Sequence, residues 1–549
     1  MATIFDGVSG ANPQRSTFDL SHDRKFTMKA GNLTPIFCKE VLPGDSFDIG
    51  ISSIVRLIPM VGPTMHKLDM DVHFFYCPNR ILWQHWEKFI TGSKLAGAEA
   101  GTVPTHPYLD LIAIAGLPSA MFTVGTLADH LGYPVTDSQA AYLDNGRSIK
   151  VNSLPFRAYA LIWKEYYRDQ NLISFDDEWE SIWENDGNDQ AKLSVNFGSF
   201  HKRAWEKDYF TSALPFVQKG DPLTIPLGGT AKVISDGNMI KLRSGDGSGI
   251  AANADILGGD NGGGNPITWM VAGANPSPLE FDNQNTGLVT DLSGATAATI
   301  NDLRAAFQAQ MWLERNARAG TRYIESLESH FGVRPADYRL QRPELFGASR
   351  MPIQMSEVLQ TSETANSPQG NMAGHGIGFD KDRYHVFCPE HGWIIGIASI
   401  KPRTSYMTAV NKSIFRLDYL DYYWPEFARL GEQAVLRKEL GWFDGLTEEQ
   451  TDSLDEVFGY QSRYAEYRSQ FSTVHGGMRI DPVLKSWHMA RENVNYATNL
   501  NKEFVESDPT TRIFADMEAD YEYIVHSQFN VRAKRPLPFF ADPGLIDHS

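Results

Sequence analysis

The sequence predicts a mainly β fold, a single β-sandwich or barrel that carries large loops and several helices. The clearest strand is residues 70–77, in which Met70, Val72, Phe74 and Tyr76 alternate with residues that face the other way. Similar strand-like segments are spread over the whole chain of 549 residues, with long connections between them. The regular strand–helix repeat of a doubly wound α/β fold is missing from the sequence. The pattern therefore favours one decorated β domain over a string of domains.

The N-terminal part of the chain predicts a mixture of strands and helices. Residues 1–30 are polar and predict an irregular lead-in, whereas residues 36–58 alternate in the manner of strands. Residues 81–90 and 155–170 have apolar side chains at helical spacing, and the second of these segments is rich in aromatics. Residues 176–189 are acidic and predict an exposed segment, apart from its two tryptophans.

A change of composition marks residues 221–300 as a long insertion. Twelve glycines lie between Gly220 and Asn265, and short bursts of Thr, Ile and Val stand among them. This pattern is typical of small strands joined by glycine turns. Because a connection of this length and polarity does not fit inside a compact core, we expect it to protrude from the body of the protein.

The stretch after the insertion predicts two helices and a rigid polar loop. Apolar residues occupy more than one side of the helix predicted between Asn301 and Gly320, so we expect it to be covered from more than one direction. A shorter helix ends at Gly332. The polar run that follows contains two prolines, which disfavour helix, and we expect it on the surface rather than in the core. Such a run suits a contact between subunits, for which the candidate residues are Arg339, Gln341, Arg342 and Glu344.

The C-terminal part predicts a β-hairpin, a late strand and a basic tail. Residues 384–389 and 392–400 have strand patterns on either side of a short turn, which indicates a hairpin. Strand-like alternation over residues 513–531 leads into a basic tail, with two phenylalanines nearby. Cations and rings suit phosphate contacts and base stacking with single-stranded nucleic acid; the alternative is a solvated end that docks on a neighbour. The DNA-facing candidates are Arg532, Lys534 and Arg535.

Composition limits the classes of function. The net charge of −17 and the pI near 5.4 argue against sequence-independent binding of nucleic acid by the whole surface, although a local basic patch stays possible. Three widely spaced cysteines, Cys38, Cys77 and Cys388, give neither a disulfide framework nor a zinc pattern, so we expect a reducing folding compartment. The first residues lack the features of a signal peptide. The longest weakly apolar run, residues 111–127, is too short and too broken for a membrane span.

The sequence contains no convincing catalytic motif. Phosphate-binding loops, the G-x-S-x-G nucleophile elbow and catalytic-cysteine signatures are all missing. Asp71 and His73 share one face of a predicted strand, as two metal ligands would, and the alternative is a hydrogen-bonded structural pair. Adjacent carboxylates and many aromatics leave open a carbohydrate-active or carbohydrate-binding β-protein, with a solvated surface as the alternative for each pair. The carboxylate pairs are Asp176 with Asp177 and Asp418 with Asp421.

Several sequence blocks, taken together, point to a known family. The best match is the stretch after the insertion, with GTRY at 320–323, HFGV at 330–333 and RLQRPE at 339–344. Further matching blocks lie at 70–80, 154–159, 166–169, 208–215, 424–427, 431–433, 458–460 and 464–468, with Trp83 and Trp86 beside the first. In order and spread, these blocks resemble the major capsid proteins of microviruses, small single-stranded DNA phages, and most closely the gokushovirus type. The fit is weakest over residues 221–300.

The resemblance implies a fold and an assembly. It implies an eight-stranded antiparallel jelly roll with large inserted loops, formed by residues 1–549 as a single capsid subunit. Such subunits are structural proteins that self-assemble, through pentamers and three-fold contacts, into a T=1 icosahedral shell around circular single-stranded DNA. The implied partners are further copies of the chain, the DNA genome, a small basic internal DNA-binding protein and a host surface receptor. The implied location is the virion, assembled in the cytoplasm of a bacterial host without membrane insertion.

The resemblance also assigns the insertion. In the gokushovirus type a long insertion forms a protrusion at the three-fold axes that faces the host, and residues 221–300 occupy this place. The host-facing candidates are Gly245, Gly249, Asp260, Gly263 and Trp269. Neither catalysis nor a cofactor or metal is implied.

Overall fold

The computed structural model describes the chain between residues 14 and 539, with gaps. The described ranges are 14–92, 103–111, 119–136, 149–221, 300–359, 372–441 and 453–539 without positions 493 and 496, together with positions 447 and 451 and six short strands between 232 and 291. The chain divides into two compact units. One consists of Met1–Val217 and Arg315–Ser549, and the other is Gln218–Glu314.

The larger unit is built on one strongly curled antiparallel sheet of nine strands. The strands are β1 (Ser16–Asp19), β2 (His22–Met28), β3 (Thr34–Val41), β4 (Asp45–Leu57), β5 (Leu68–Pro78), β6 (Glu344–Leu359), β7 (Met372–Cys388), β8 (Gly392–Pro402) and β9 (Tyr523–Arg535). Their order across the sheet is β1-β9-β4-β7-β6-β5-β8-β3, and β2 pairs with β9 as well. Because β1 and β2 pair with successive parts of the same edge of β9, the sheet is eight strands wide. The predicted jelly-roll fold is confirmed.

The first two strands correct the prediction of an irregular lead-in over residues 1–30. In its described part this segment forms β1 and β2, which pair with β9 at one edge of the sheet. On β2 the side chains of Phe26 and Met28 turn toward the core, while the alternating residues Lys25 and Thr27 are exposed. Such an edge strand buries few side chains, so its sequence is as polar as that of a loop.

Two hydrophobic cores lie on opposite faces of the sheet. On β5, Met70, Phe74 and Tyr76 belong to the first core, whereas Phe75 and Cys77 belong to the second. The predicted alternation of this strand is therefore confirmed. Both of its faces are nevertheless buried, since helices cover the second face.

The second core is covered by six helices, which are α1 (Asn79–Leu82), α2 (Trp86–Ile90), α3 (Leu127–Leu131), α4 (Leu154–Ile162), α5 (Asp176–Trp183) and α6 (Gln190–Phe197). A small strand pair, Tyr108–Asp110 with Lys150–Asn152, lies in the same region of the chain. Helix α4 is buried along its whole length and continues as a π-helical turn, Trp163–Tyr167, which confirms the helix predicted over residues 155–170. The single helix predicted over residues 81–90 is wrong. Trp83 has an extended backbone there, and its indole N–H donates to Asp186 at 2.8 Å, so the segment splits into α1 and α2.

A fully buried ion pair lies in the second core. Arg157 and Asp189 are both 0% exposed, and Arg157 Nη2 lies 2.8 Å from Asp189 Oδ1. Ser153 Oγ and Asn185 Nδ2 also donate to the Asp189 carboxylate. The prediction of an exposed acidic segment over residues 176–189 is therefore wrong at its end, because the last carboxylate neutralises an arginine inside the core.

The predicted hairpin between residues 384–389 and 392–400 is also wrong. β7 pairs with β4 and β6, whereas β8 pairs with β5 and β3. The connection is held at the end of β5, where the Tyr76 hydroxyl donates to the Glu390 carbonyl and the Asn79 N–H donates to the His391 carbonyl, both at 2.9 Å. The chain thus crosses from one part of the curled sheet to another, which a hydrophobic pattern does not reveal.

In its described residues, the smaller unit contains six short strands and most of helix α7 (Ile300–Ala319). The strands are Lys232–Ser235, Leu242–Ser244, Ile256–Gly259, Thr268–Val271, Ser277–Phe281 and Leu288–Asp291. The small strands predicted in the insertion are confirmed. The prediction that α7 is covered from more than one direction is wrong within a single chain. Phe307 and Met311 are exposed, and Ala317 is the one buried residue of the helix in this structure. Helix α8 (Tyr323–Phe331) follows and ends, as predicted, at a left-handed Gly332.

A third core joins residues 209–213 to the C-terminal loops of the larger unit. Phe210, Tyr406 and Phe471 pack their buried rings against one another in edge-to-face and tilted contacts at its centre. The elements around it are the strand pairs Ser405–Tyr406 with Ser472–Thr473 and Glu432–Leu436 with Val457–Ser462. Two short helices follow in the chain, α9 (Pro482–Lys485) and α10 (Lys502–Val505), and α10 contributes Phe504 to this core.

Candidate nucleic-acid interface and subunit contacts

The outward face of β9 carries two of the three DNA-facing candidates. Burial alternates at every residue from Tyr523 to Lys534, so that the odd-numbered side chains enter the first core. Arg532 and Lys534 therefore point away from the core and are exposed. The late strand predicted over residues 513–531 is confirmed from residue 523 onward, whereas residues 513–522 form turns and bends. The basic tail belongs to this strand instead of a loose end.

Neighbouring strands extend this outward face. Arg532 lies opposite Asp48 on β4 and Asp19 on β1. On the far side of β4, the register places Lys381 and Arg383 of β7 opposite two small residues. Because Ser52 and Gly50 have short or no side chains, they leave space between the cations of β7 and those of β9. We call Lys381, Arg383, Arg532 and Lys534 the cationic face.

A concave region of about 640 Å³ lies in the middle of the cationic face. Three basic and two acidic side chains line it, which leaves a local excess of one positive charge on a chain of net charge −17. Phe379 lines the same region and is 66% exposed. Cations beside an exposed ring can contact phosphates and stack on bases. The five charged residues are Lys381, Arg383, Arg532, Asp48 and Asp382.

The sequence-based prediction missed the β7 part of this face. Lys381 and Arg383 lie in a run of alternating acidic and basic residues that has the composition of a turn. In the sequence, polar Arg383 and His385 alternate with the less polar Tyr384, Val386 and Cys388, which is the strand signal that could have placed the polar residues on one outward face.

The third candidate, Arg535, is engaged inside its own chain. Its Nη2 lies 2.9 Å from Asp45 Oδ2, and the Asp45 carboxylate is buried. The same nitrogen donates to the Glu40 carbonyl at 2.9 Å, and the guanidinium lies 5.5 Å from the centre of the Phe47 ring. Arg535 therefore closes the end of the sheet, and Arg532 and Lys534 are the better placed residues for a ligand.

The polar run with the subunit-contact candidates has a defined backbone conformation. It begins as a 3-10 turn, Asp337–Leu340, and Gln341 follows with a left-handed φ of 54°. Arg339 and Gln341 are exposed, and Arg80 donates to the Gln341 side chain. Glu344 begins β6, where burial and the nearby Asp337 carboxylate raise the pKa of Glu344.

Arg342 corrects the expectation that this run avoids the core. Its guanidinium lies 4.3 Å from the centre of the Tyr166 ring and its Nε lies 3.4 Å from Asp337 Oδ1. The side chain is buried within its own subunit. Arg342 therefore holds the run against the π-helical turn, and only Arg339, Gln341 and Glu344 have surface left for a neighbouring subunit.

The possible metal pair of β5 has other partners. Asp71 lies 2.6 Å from Arg203 and 2.7 Å from Arg350, so cations neutralise it. His73 Nδ1 lies 2.7 Å from the Tyr167 hydroxyl, and burial lowers the pKa of His73 to about 4. These contacts match the structural alternative. Within the described ranges, no group of three or more His, Cys, Asp or Glu side chains could hold a metal ion.

The carboxylate pairs and the cysteines also have structural surroundings. Asp176 lies 3.1 Å from both Lys164 and Arg168, and Asp418 and Asp421 cap an exposed 3-10 turn. All three cysteines are free thiols, and burial raises the pKa of Cys38 and of Cys388 to about 12. Thiols that stay protonated are poor nucleophiles.

The host-facing candidates mostly fall outside the described residues. Gly245, Gly249, Asp260 and Gly263 do so, and Trp269 lies in the strand Thr268–Val271, where its backbone pairs with that of Gly258. Among the helices that the structure describes, none is both long and apolar enough to cross a membrane.

The sequence matches known capsid proteins over nearly its whole length. The family model Phage_F, described as capsid protein (F protein), matches residues 7–545. The capsid protein VP1 of Bdellovibrio phage phiMH2K is 36% identical over 567 residues, which cover 99% of this chain and 97% of the relative. The capsid proteins VP1 of Chlamydia phage 1 and Spiroplasma virus 4 are each 32% identical, over 99% and 98% of this chain and 98% and 97% of the relatives.

These matches confirm the resemblance to the gokushovirus type and set aside the carbohydrate-active alternative. A capsid subunit is a structural and not an enzymatic protein, it assembles with further copies of itself into a shell, and its place is the virion. A jelly roll without a catalytic constellation in its described residues agrees with that role. The chain belongs to the phage capsid protein (F protein) family.

Proposed function

We propose that this capsid subunit forms a T=1 icosahedral shell around circular single-stranded DNA, with its cationic face toward the DNA. The observation that carries the proposal is the clustering of three cations around the exposed Phe379 on an otherwise acidic chain, namely Lys381, Arg383 and Arg532. Lys534 lies two residues further along the same face of β9. Local cations reduce the repulsion between the acidic subunit and phosphates. A small basic internal protein supplies the remaining positive charge.

We further propose that residues 221–300 form the surface protrusion and meet a receptor on the host, and that the shell assembles in the bacterial cytoplasm. Three free cysteines suit folding in a reducing compartment. The small strands and glycine turns of the insertion suit a segment that varies without disturbing the jelly roll.

The salt dependence of DNA binding tests the role of the cationic face. For single-stranded DNA, the plot of log K against log salt concentration has a slope of about −0.7 for each phosphate that the protein neutralises. The double variant Arg532→Gln/Lys534→Gln should therefore make the slope shallower by about 1.4, if each cation meets one phosphate. The measurement is the fluorescence anisotropy of labelled oligo(dT) with full-length subunits.

A matched control removes the same charge elsewhere. Lys67→Gln/Lys438→Gln replaces two partly exposed lysines that pair with Asp69 and Asp455, away from the cationic face. This control should leave the slope at the wild-type value. Equal slopes for the two double variants would refute the assignment of the DNA-facing surface.

A further inference from the structure

Residues 417–430, the aromatic segment, expose a group of large apolar side chains. Leu417 is 94% exposed, Tyr419 69% and Trp424 45%, and Tyr422 and Tyr423 are about as exposed as Trp424. Each aromatic side chain offers about 150–250 Å², so the segment presents on the order of 500 Å² of ring and leucine surface. Isolated soluble proteins seldom leave a larger contiguous patch uncovered, and such patches mark interaction sites.

The backbone under these exposed side chains is fixed. Asp418 and Asp421 cap the 3-10 turn Tyr419–Asp421, and the Trp424 indole N–H donates to the Tyr419 carbonyl at 2.9 Å. The ring of Tyr423 packs against that of Tyr464, with 4.9 Å between their centroids. Exposed rings on a fixed backbone lose little conformational entropy when a partner covers them, and such residues dominate the energy of protein–protein contacts.

The charges of the segment indicate which surface covers it. Asp418, Asp421 and Glu426 outnumber Arg429, and all four residues are exposed. Two copies of the segment placed face to face would therefore oppose like charges in a desolvated contact, which is costly. The covering surface must be apolar and must carry positive charge at its rim.

We propose that the aromatic segment is buried against a different surface of a second copy of this chain. The inference rests on the proposed shell, in which contacts between unlike surfaces close into rings around rotation axes. Helix α7 offers a surface of the required kind, because exposed Phe307 and Met311 share one side with exposed Arg304 and Arg315 at helical spacing. With about 800 Å² per partner in a standard interface, the segment supplies the centre of the contact and needs a surrounding rim.

Alkylation of a cysteine at position 417 tests the proposal. Because Leu417 is almost fully exposed, Leu417→Cys leaves the fold of the subunit intact, and burial raises the pKa of all three native thiols, which slows their reaction. The rate of reaction with iodoacetamide should fall at least tenfold when full-length subunits assemble into particles, and should recover when the particles dissociate. Equal rates in particles and in dissociated subunits overturn the proposal, while the particles themselves would still uphold the shell.

A second variant tests the energetic role and the pairing. Leu417→Asp should raise the subunit concentration needed for assembly at least tenfold, with the thermal unfolding of the dissociated subunit unchanged; assembly at the wild-type concentration overturns the proposal. Oxidation of Leu417→Cys particles should yield few covalent dimers, since the segments of two copies do not face each other. A high yield of dimers linked through position 417 would show the opposite pairing and overturn it as well.

Discussion

Replacing Arg157 with methionine should destabilise the second core more than any surface change. Arg157 Nε and Nη2 each donate to Asp189 at 2.8 Å, Nη1 donates to the Leu82 carbonyl at 3.2 Å, and Nη2 also donates to the Asn185 carbonyl at 2.9 Å. Methionine fills much of the same space but donates no hydrogen bond. The substitution therefore leaves the buried Asp189 carboxylate with Ser153 and Asn185 as its remaining donors.

The magnitude follows from the burial of both partners. Removing one member of a buried ion pair costs about 3–5 kcal/mol, because an uncompensated charge stays in a medium of low dielectric constant. Arg157→Met/Asp189→Leu should recover most of that loss, since no charge remains in the core. Lys202→Met breaks the exposed pair with Asp508 and should cost less than about 1 kcal/mol, which makes it the matched surface control.

Urea unfolding of dissociated subunits, followed by tryptophan fluorescence, measures these differences. Trp83, Trp163 and Trp179 all lie in the second core, so their emission reports the transition that Arg157 affects. Two results would refute the reasoning. One is an Arg157→Met variant within about 1 kcal/mol of the wild type, below the range for a broken buried pair; the other is a double variant less stable than Arg157→Met alone.

Two further predictions concern pH and the insertion. Burial raises the pKa of Glu522 to about 7, although it accepts the Ala30 N–H at 2.9 Å. The folded chain therefore binds a proton that the unfolded chain releases near pH 4.5, and stability falls as the pH rises from 4.5 to 7. Glu522→Gln should remove up to about 3 kcal/mol of this pH dependence, measured by urea unfolding at pH 5, 6 and 8; an unchanged dependence would contradict the assignment. Replacing residues 225–295 with a short turn should leave shells intact in electron micrographs and lower adsorption to host cells, whereas loss of shells would place the insertion in the subunit contacts.

The sequence predicts well those strands and helices whose secondary structure follows from burying one of their faces. The alternation in β5 and β9 and the helical spacing of α4 follow from burial of one side against a large apolar surface. The sequence predicts less well which strands pair with each other. The alternation of β7 and of β8 fixes which of their side chains are buried, but it does not determine which strands lie beside them. The turn at Glu390 predicts a hairpin locally, but contacts with Tyr76 and Asn79 carry the chain across the sheet.

The sequence also fails to show which charged residues are buried and which of them come together on one surface. Asp189 and Arg342 are residue types that usually lie on a surface, yet each is buried with partners of its own chain. Arg157 neutralises Asp189, while Arg342 pairs with Asp337 and packs on the Tyr166 ring. The cationic face was predicted only in part for a related reason. Arg532 and Lys534 form a cluster in the sequence, whereas Lys381 and Arg383 join them only through the register of β4 with β7 and β9.

The position of β9 in the sheet ties completion of the fold to the end of translation, because β9 is the last described strand in the chain. Of the described strands, β1 and β2 pair with β9 alone, and Ser21 Oγ donates to Asn530 across 509 positions of the sequence. Until the ribosome has released β9, the edge of β4 that pairs with β9 stays open, and the cationic face lacks its two side chains from β9. Contacts between such distant residues close long loops, and the entropy cost of closing them slows folding. A chain that stops before residue 523 therefore lacks β9, and its sheet loses the strand that joins β1 and β2 to β4.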